Sequence, residues 1–388
     1  MTSRTGSLAA LVGVVLVGMT GFGVFLPIFP FLSLELGASP SATTIAMGAY
    51  SLGQLIASPF WGRLSDRVGR KPILIAGLLG GVASYLWIAR ASSVEELGAA
   101  RLFGGLMAGN VGAAFAAAAD LADAKTRARN MGLLGAAVGF GFIAGPALGA
   151  ALIGDAPSRA DFANVCLASA ALAGLAALVA LASFRETRSL SSPAPGVSPR
   201  RWSLLVSRPA LARFAMVMLL MIAAQAMMET TFGLWADARL SWKSQEVGWT
   251  LAGLGVGAVV FQGGGAGAAS RVLGEPVTLT IGLVLMAAGF GGLTVANEAA
   301  TMIAALFALV AGIGLATPAL NSLIAAQAGE EERGAVMGLS QSAGALGRVV
   351  GPLAAGPLFE HQGSSAPFVG GALLTLLALF VVNRDQSR

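Results

Sequence analysis

Apolar stretches long enough to cross a lipid bilayer follow one another along almost the whole chain, at about residues 8–32, 42–61, 73–90, 97–119, 130–153, 163–184, 210–234, 247–268, 277–296, 299–327, 335–358 and 366–383. A helix needs ~20 apolar residues to span a hydrocarbon core. Within lipid, backbone N–H and C=O groups must be bonded inside the segment that carries them, so such segments fold as helices. Twelve of them predict an all-α membrane protein. Charged residues make up 11% of the chain, against about a quarter in soluble domains. The 53 glycines suit helices that pack closely in lipid, where small residues let backbones approach. The stretch from Leu8 to Leu32 exceeds the roughly 7–15 apolar residues of a signal-peptide core, so it is read as a spanning helix. A single Cys166 and a single His361 exclude an intrachain disulfide and a Cys- or His-based metal site. No metal and no other cofactor is expected.

The polar residues set the organisation. Arg185–Pro209 is the one long polar linker, and it divides the chain into an N-terminal bundle (1–184), a linker (185–209) and a C-terminal bundle (210–388). With the N-terminus in the cytoplasm, eighteen of the 24 lysines and arginines fall on the inner side. Arg90, Arg159, Arg239 and Lys243 fall outside, and Arg101 and Arg348 lie within helices. This asymmetry is the positive-inside pattern, which predicts two cytoplasmic termini and the plasma (bacterial inner) membrane as location. It also accounts for the pI near 10.1 without a nucleic-acid partner. The lipid bilayer and a small-molecule substrate are the partners expected, with the chain as a monomer.

One loop stands apart. Gly62-Arg-Leu-Ser-Asp66-Arg67-Val-Gly69-Arg70-Lys71-Pro72 is a short basic hairpin between two apolar segments. A weaker copy, Ser270-Arg271-Val272-Leu-Gly-Glu275-Pro276, aligns with it without a gap at a displacement of 204 residues. Ser270 then stands for Asp66 and Glu275 for Lys71, so the two loops cannot act alike. A second echo joins the fifth and eleventh segments. Met131-Gly132-Leu133, Gly141 and Gly145-Pro146 recur as Met337-Gly338-Leu339, Gly347 and Gly351-Pro352, each 206 residues later. Six helices return a chain to the side it started from, so the repeat is parallel: two pseudo-symmetric six-helix bundles.

These residues resemble a known family. The Gly62–Pro72 loop looks like the major facilitator superfamily motif between helices 2 and 3. Gly21-x5-Pro27-Ile28-x-Pro30 resembles the first-helix motif of its twelve-helix drug:proton antiporter branch. Arg101 with Gly104-Gly105 and Gly109 resembles the fourth-helix arginine motif, and the run from Gly135 to Gly149 the fifth-helix antiporter motif. Asp120-Leu-Ala-Asp123…Arg127 and Pro318-Ala-Leu-Asn321 look closest to tetracycline-resistance-like efflux proteins. One departure stands out: many members carry an acid within helix 1, and Thr20–Leu32 has none.

The resemblance implies a cytoplasmic latch built from Gly62, Asp66, Arg67, Gly69, Arg70, Asp120 and Arg127. Asp66 would meet the N-terminus of helix 11 near Gly334-Ala335, where the helix end favours a carboxylate, and Arg70 would pair with Asp120. The alternative is that Arg67, Arg70 and Lys71 merely set topology. Intramembrane charges are costly and mark function by default, which singles out Glu229, Arg101 and Arg348 as a proton-coupling set. For each a structural reading stays open: Glu229 solvated near the outer surface, Arg101 bridging carbonyls, Arg348 held by carbonyls freed at Pro352. Tyr50, Gln54, Asn110, Gln225, Met228, Gln262, Asn321 and Gln341 supply polar or soft groups on helices that line the family's cavity. Gly141, Gly145, Pro146 and Gly149 form a small-residue strip with a bend, expected to pack against a helix of the other half.

The function expected is secondary, proton-coupled efflux of amphiphilic drug-like molecules by alternating access, with the proton as coupling ion and no enzymatic activity. Export of a metabolite such as a sugar or amino acid is the second transport reading. A receptor or scaffold that has lost transport is the third, and the retained intramembrane charges argue against it.

Overall fold

The computed structural model describes residues 2–123, 126–154, 157–187, 208–328 and 332–384. Their helices are α1 (Thr2–Phe25), α2 (Phe29–Glu35), α3 (Pro40–Val68), α4 (Arg70–Arg90), α5 (Val94–Leu106), α6 (Asn110–Asp120), α7 (Arg127–Ile153) and α8 (Arg159–Ser183). After the linker come α9 (Pro209–Leu240), α10 (Ser244–Val260), a π-helical turn (Phe261–Gly265), α11 (Ala266–Leu273), α12 (Glu275–Val295), α13 (Ala299–Ala326), α14 (Arg333–Gln362) and α15 (Ala366–Asn383). Among the described residues, ten stretches are long and apolar enough to cross a membrane. The expected second and eleventh spans, α3 and α14, are 29 and 30 residues long. Serine, threonine, glutamine and glycine stand in them where the others carry aliphatic side chains, which keeps them below the apolarity of the ten.

Three spans that read as continuous in the sequence are interrupted. Pro27 and Pro30 lie where α1 gives way to α2. The fourth span breaks into α5 and α6 at Met107–Gly109, where the Gly109 amide turns back onto the Met107 carbonyl at 2.7 Å. The eighth carries the π turn between α10 and α11. A π turn inserts one residue into the helix and rotates everything beyond it, a feature common at functional sites.

The chain clusters into two compact units. The first holds residues 1–38, 49–195 and 243–255. In it α1 lies against α7 and α8, and α4 against α5, α6 and α8. Leu11, Val14, Leu74, Ala114, Leu134 and Ala177 form part of its core. The second unit holds residues 39–48, 196–242 and 256–388. There α9 lies against α14 and α15, and α12 against α13 and α15. The pairings within the two units correspond one for one, which is the repeat expected from the sequence.

The glycine strip shows how the repeat is built and corrects one expectation. Gly141, Gly145 and Gly149 recur every fourth residue and so share a face of α7. That face meets α1 of the same unit. A Cβ on Gly145 would lie 2.5 Å from the Gly23 Cα, and one on Gly141 2.5 Å from the Met19 Cβ. The neighbouring face, one residue round the helix, meets the start of α10: a Cβ on Gly248 would lie 2.8 Å from Ala150 and 3.0 Å from the Pro146 carbonyl. In the second unit Gly351 repeats the first contact, with its Cβ position 2.5 Å from the Ala223 carbonyl of α9. Small residues are kept where two backbones touch inside each bundle, which is why the motif recurs.

The loop repeat also shifts register. The chain turns into α4 at Gly69 (φ +103°) and into α12 at Gly274 (φ +81°). Positive φ is a glycine conformation, so these two residues are structural equivalents, displaced by 205 rather than 204. Glu275 therefore stands in the place of Arg70, not Lys71.

Candidate functional site

The inner end of the first unit carries a charge network. Ser65, Asp66 and Arg70 flank the turn at Gly69, which points the arginine back along α3. The Arg70 guanidinium donates to Asp66 at 2.8 Å, to Asp120 at the end of α6 at 3.0 Å, and to Ser65 at 3.1 Å. Its side chain is 10% exposed, so the pairing is largely out of water and the missing hydration is replaced by three acceptors. The sequence reading paired Arg70 with Asp120 and set Asp66 against the start of the eleventh span; in the structure Arg70 bonds both carboxylates. Arg67 is exposed and makes no ion pair among the described residues. Gly62 faces open space. The side chains of Arg127, Gly334 and Ala335 lie outside the described residues.

One member of the network was missed in the sequence. Glu186, three residues beyond α8, accepts the backbone N–H of Arg70 at 2.8 Å and of Lys71 at 3.0 Å. It thereby satisfies two of the orphan donors at the start of α4, where the helix dipole favours an anion. Lys71 in turn donates to the Leu181 carbonyl at 2.8 Å. The second unit makes the corresponding link with different chemistry: Ser322 of α13 donates to Glu275. An arginine–aspartate bridge in one unit is a serine–glutamate bond in the other.

Arg101 on α5 is 6% exposed and has no carboxylate partner among the described residues. Its Nε has no hydrogen-bond partner. Four rings surround it instead, Tyr50 at 4.6 Å from the guanidinium carbon and Phe22, Phe25 and Phe29 at 5.5–5.8 Å. These are cation–π distances. Positions 22, 25 and 29 are spaced to share one helical face, so this aromatic stripe was readable but unread. Thr20–Leu32 carries no acid, and its phenylalanines Phe22, Phe25 and Phe29 lie against the arginine instead. The glycines after Arg101 close α5 onto its neighbours, with Ser84 packed against Gly104 and the Tyr50 backbone against Gly105.

In the second unit Glu229 lies on α9, the most deeply buried of the ten apolar stretches. Met227, Met228, Thr230 and Thr231 around it are buried, while Glu229 itself is exposed. Gln225, one turn earlier, donates to it at 2.7 Å. Arg348 on α14 is close enough for its charge to act on Glu229, but the two form no ion pair. Gln262 is exposed on the π turn and Gln341 on α14. Asn321 is half-buried, with an unpartnered side-chain oxygen. Tyr50, Gln54 and Asn110 are half-buried in the first unit. No group of three or more His, Cys, Asp or Glu able to hold a metal occurs among the described residues.

The chain matches the family described as Major Facilitator Superfamily over residues 11–265 and 210–387. It belongs to the major facilitator superfamily. Among major facilitator relatives, it is 30% identical to a class B tetracycline resistance protein of Escherichia coli, over 90% of this chain and 87% of that one. It is also 30% identical to a class G tetracycline resistance protein of Vibrio anguillarum, over 97% of each. A crystal structure of the nucleoside transporter NupG superposes with a TM-score of 0.84, covering 97% of this chain and 99% of that chain at 11% identity. At that identity the likeness speaks for the major facilitator fold alone. The chain is thus an integral membrane transporter of this superfamily and not an enzyme.

Proposed function

We propose that the chain exports amphiphilic, drug-like molecules of the tetracycline kind across the plasma membrane in exchange for protons, by alternating access. The observation that carries the proton is Glu229. It is a carboxyl set among the buried Met227, Met228, Thr230 and Thr231 of α9, and its hydrogen-bond partner is the neutral amide of Gln225. An amide serves both protonation states, donating to a carboxylate and, turned over, accepting from a carboxylic acid. Arg348 lies within electrostatic reach and makes no ion pair among the described residues, so it biases Glu229 without locking it. Arg101, sealed among rings, would sense that state through helix movement.

The substrate class is supported by the two resistance proteins, which match nearly end to end, and by a lining rich in apolar and neutral polar groups. The Asp66–Arg70–Asp120 network is proposed as a one-sided cytoplasmic latch, with both termini on that side as the distribution of cations supports. The coupling ion is the proton, no cofactor takes part, and the working unit is the monomer.

Drug susceptibility of cells expressing the protein tests this reading. The wild type should raise the tolerated tetracycline concentration, and Glu229→Gln should return it to the level of cells without the protein at equal amounts in the membrane. A variant that protects as well as the wild type removes Glu229 from the mechanism.

A further inference from the structure

A cavity of about 370 Å³ opens within the first unit, between the inner half of α3 and the broken fourth span. That volume is in the range of small-molecule sites, about 300–1,000 Å³. One wall is α6 and the break before it, which offer Ala108, Gly109, Gly112, Ala113 and Ala116 beside Val111. The facing wall is α3, with Gln54, Ser58 and Trp61, and Asp66–Arg70 close the inner end.

The polar groups of the lining are mostly spoken for. Trp61 donates its indole N–H to the Leu106 carbonyl at 2.6 Å, which satisfies an acceptor freed where the helix breaks. Ser58 donates to the Gln54 carbonyl at 2.5 Å. Asp66 and Arg70 bind each other. The Gln54 amide makes no hydrogen bond among the described residues. The cavity thus has one wall of glycine and alanine with no side chain larger than that of Val111, an indole that can offer only its ring, and one unengaged amide.

We propose that this cavity is a slot for the fused aromatic part of the exported molecule, stacked against Trp61 with one polar edge on Gln54. This rests on the drug-export reading and gives it a place and a shape: flat molecules with a polar edge fit, and bulky globular ones do not. Because the indole N–H is occupied, recognition by Trp61 is by stacking, which tolerates many ring systems. Export of a range of flat aromatic compounds follows.

Two glycines make the proposal testable. Cβ atoms on Gly112 and on Gly62, which line opposite walls, would meet nothing within 4 Å, so side chains there enter the cavity without displacing protein. The native Cys166 is buried, and Cys166→Ser gives a background free of thiols. Gly112→Cys and, separately, Gly62→Cys in vesicles should react with a water-soluble thiol reagent, and tetracycline at ten times its Kd should slow both reactions by about tenfold, since about one site in eleven then stays free. Gly112→Leu should lower tetracycline export by a similar factor while the amount of folded protein is unchanged. Equal labelling rates with and without tetracycline, in vesicles whose wild-type counterpart exports it, overturn the slot and leave drug export standing. Vesicles that neither export tetracycline nor show protection overturn both.

Discussion

Gly69 and Glu186 show how few atoms hold the inner end of the first unit. Gly69 has φ +103°, and a Cβ there would meet the Glu186 carboxylate. Gly69→Ala should therefore lower stability by about 1–3 kcal/mol for the backbone conformation alone, and further by displacing Glu186 from the start of α4. Thermal unfolding of the purified protein reads this directly, and an unchanged Tm would contradict it. Glu186→Gln, which keeps an oxygen acceptor, should lose less than Glu186→Ala. The pairing of Arg70 with Asp120 was read through a family resemblance, whereas the bond from Arg70 to Asp66, one helical turn away, was not. Glu186 was not legible, because no periodicity links residue 186 to residue 70; their meeting depends on α4 and α8 lying side by side. Arg101 was legible as a charge in an apolar helix, yet the structural partners considered for it were carbonyls, whereas rings at Phe22, Phe25, Phe29 and Tyr50 surround it.

Among the elements, α7 and α14 carry the clearest lesson. Their glycines were read correctly as a close-packing strip, but sequence spacing cannot say which neighbour a face meets. In the structure Gly145 is pressed against Gly23 within its own unit, so a larger residue there strains the bundle itself. Gly145→Leu should cost about 1–3 kcal/mol, the usual penalty for overpacking a filled interface, and reduce the folded protein recovered from membranes. Gly351→Leu, facing Ala223 in the second unit, should do the same. Equal recovery of wild type and both variants would contradict the assignment. The breaks in the fourth and eighth spans escaped the sequence reading because hydropathy runs straight through them. Gly109 and the run Gly263–Gly265 were the available signals, in a chain where glycine is too common to mark a break.

The whole molecule repeats its packing but not its chemistry. Each unit joins its basic loop to the span after next, through Arg70 and Asp120 in one and Glu275 and Ser322 in the other. The sequence comparison already set the two loops apart; the shifted register adds that a glutamate occupies the place of the bridging arginine. Arg70→Gln should slow transport far more than Glu275→Gln, because the first leaves Asp66 and Asp120 facing each other without their cation, whereas a glutamine at 275 can still bond Ser322. Comparable losses would mean that both loops latch alike. The central claim concerns the proton, and it is tested most directly in sealed vesicles holding the purified protein and a pH-sensitive dye. Adding tetracycline should move protons in the opposite direction across the wild-type membrane, and Glu229→Gln should abolish that signal. Tetracycline crossing the wild-type membrane with no movement of protons would contradict the account.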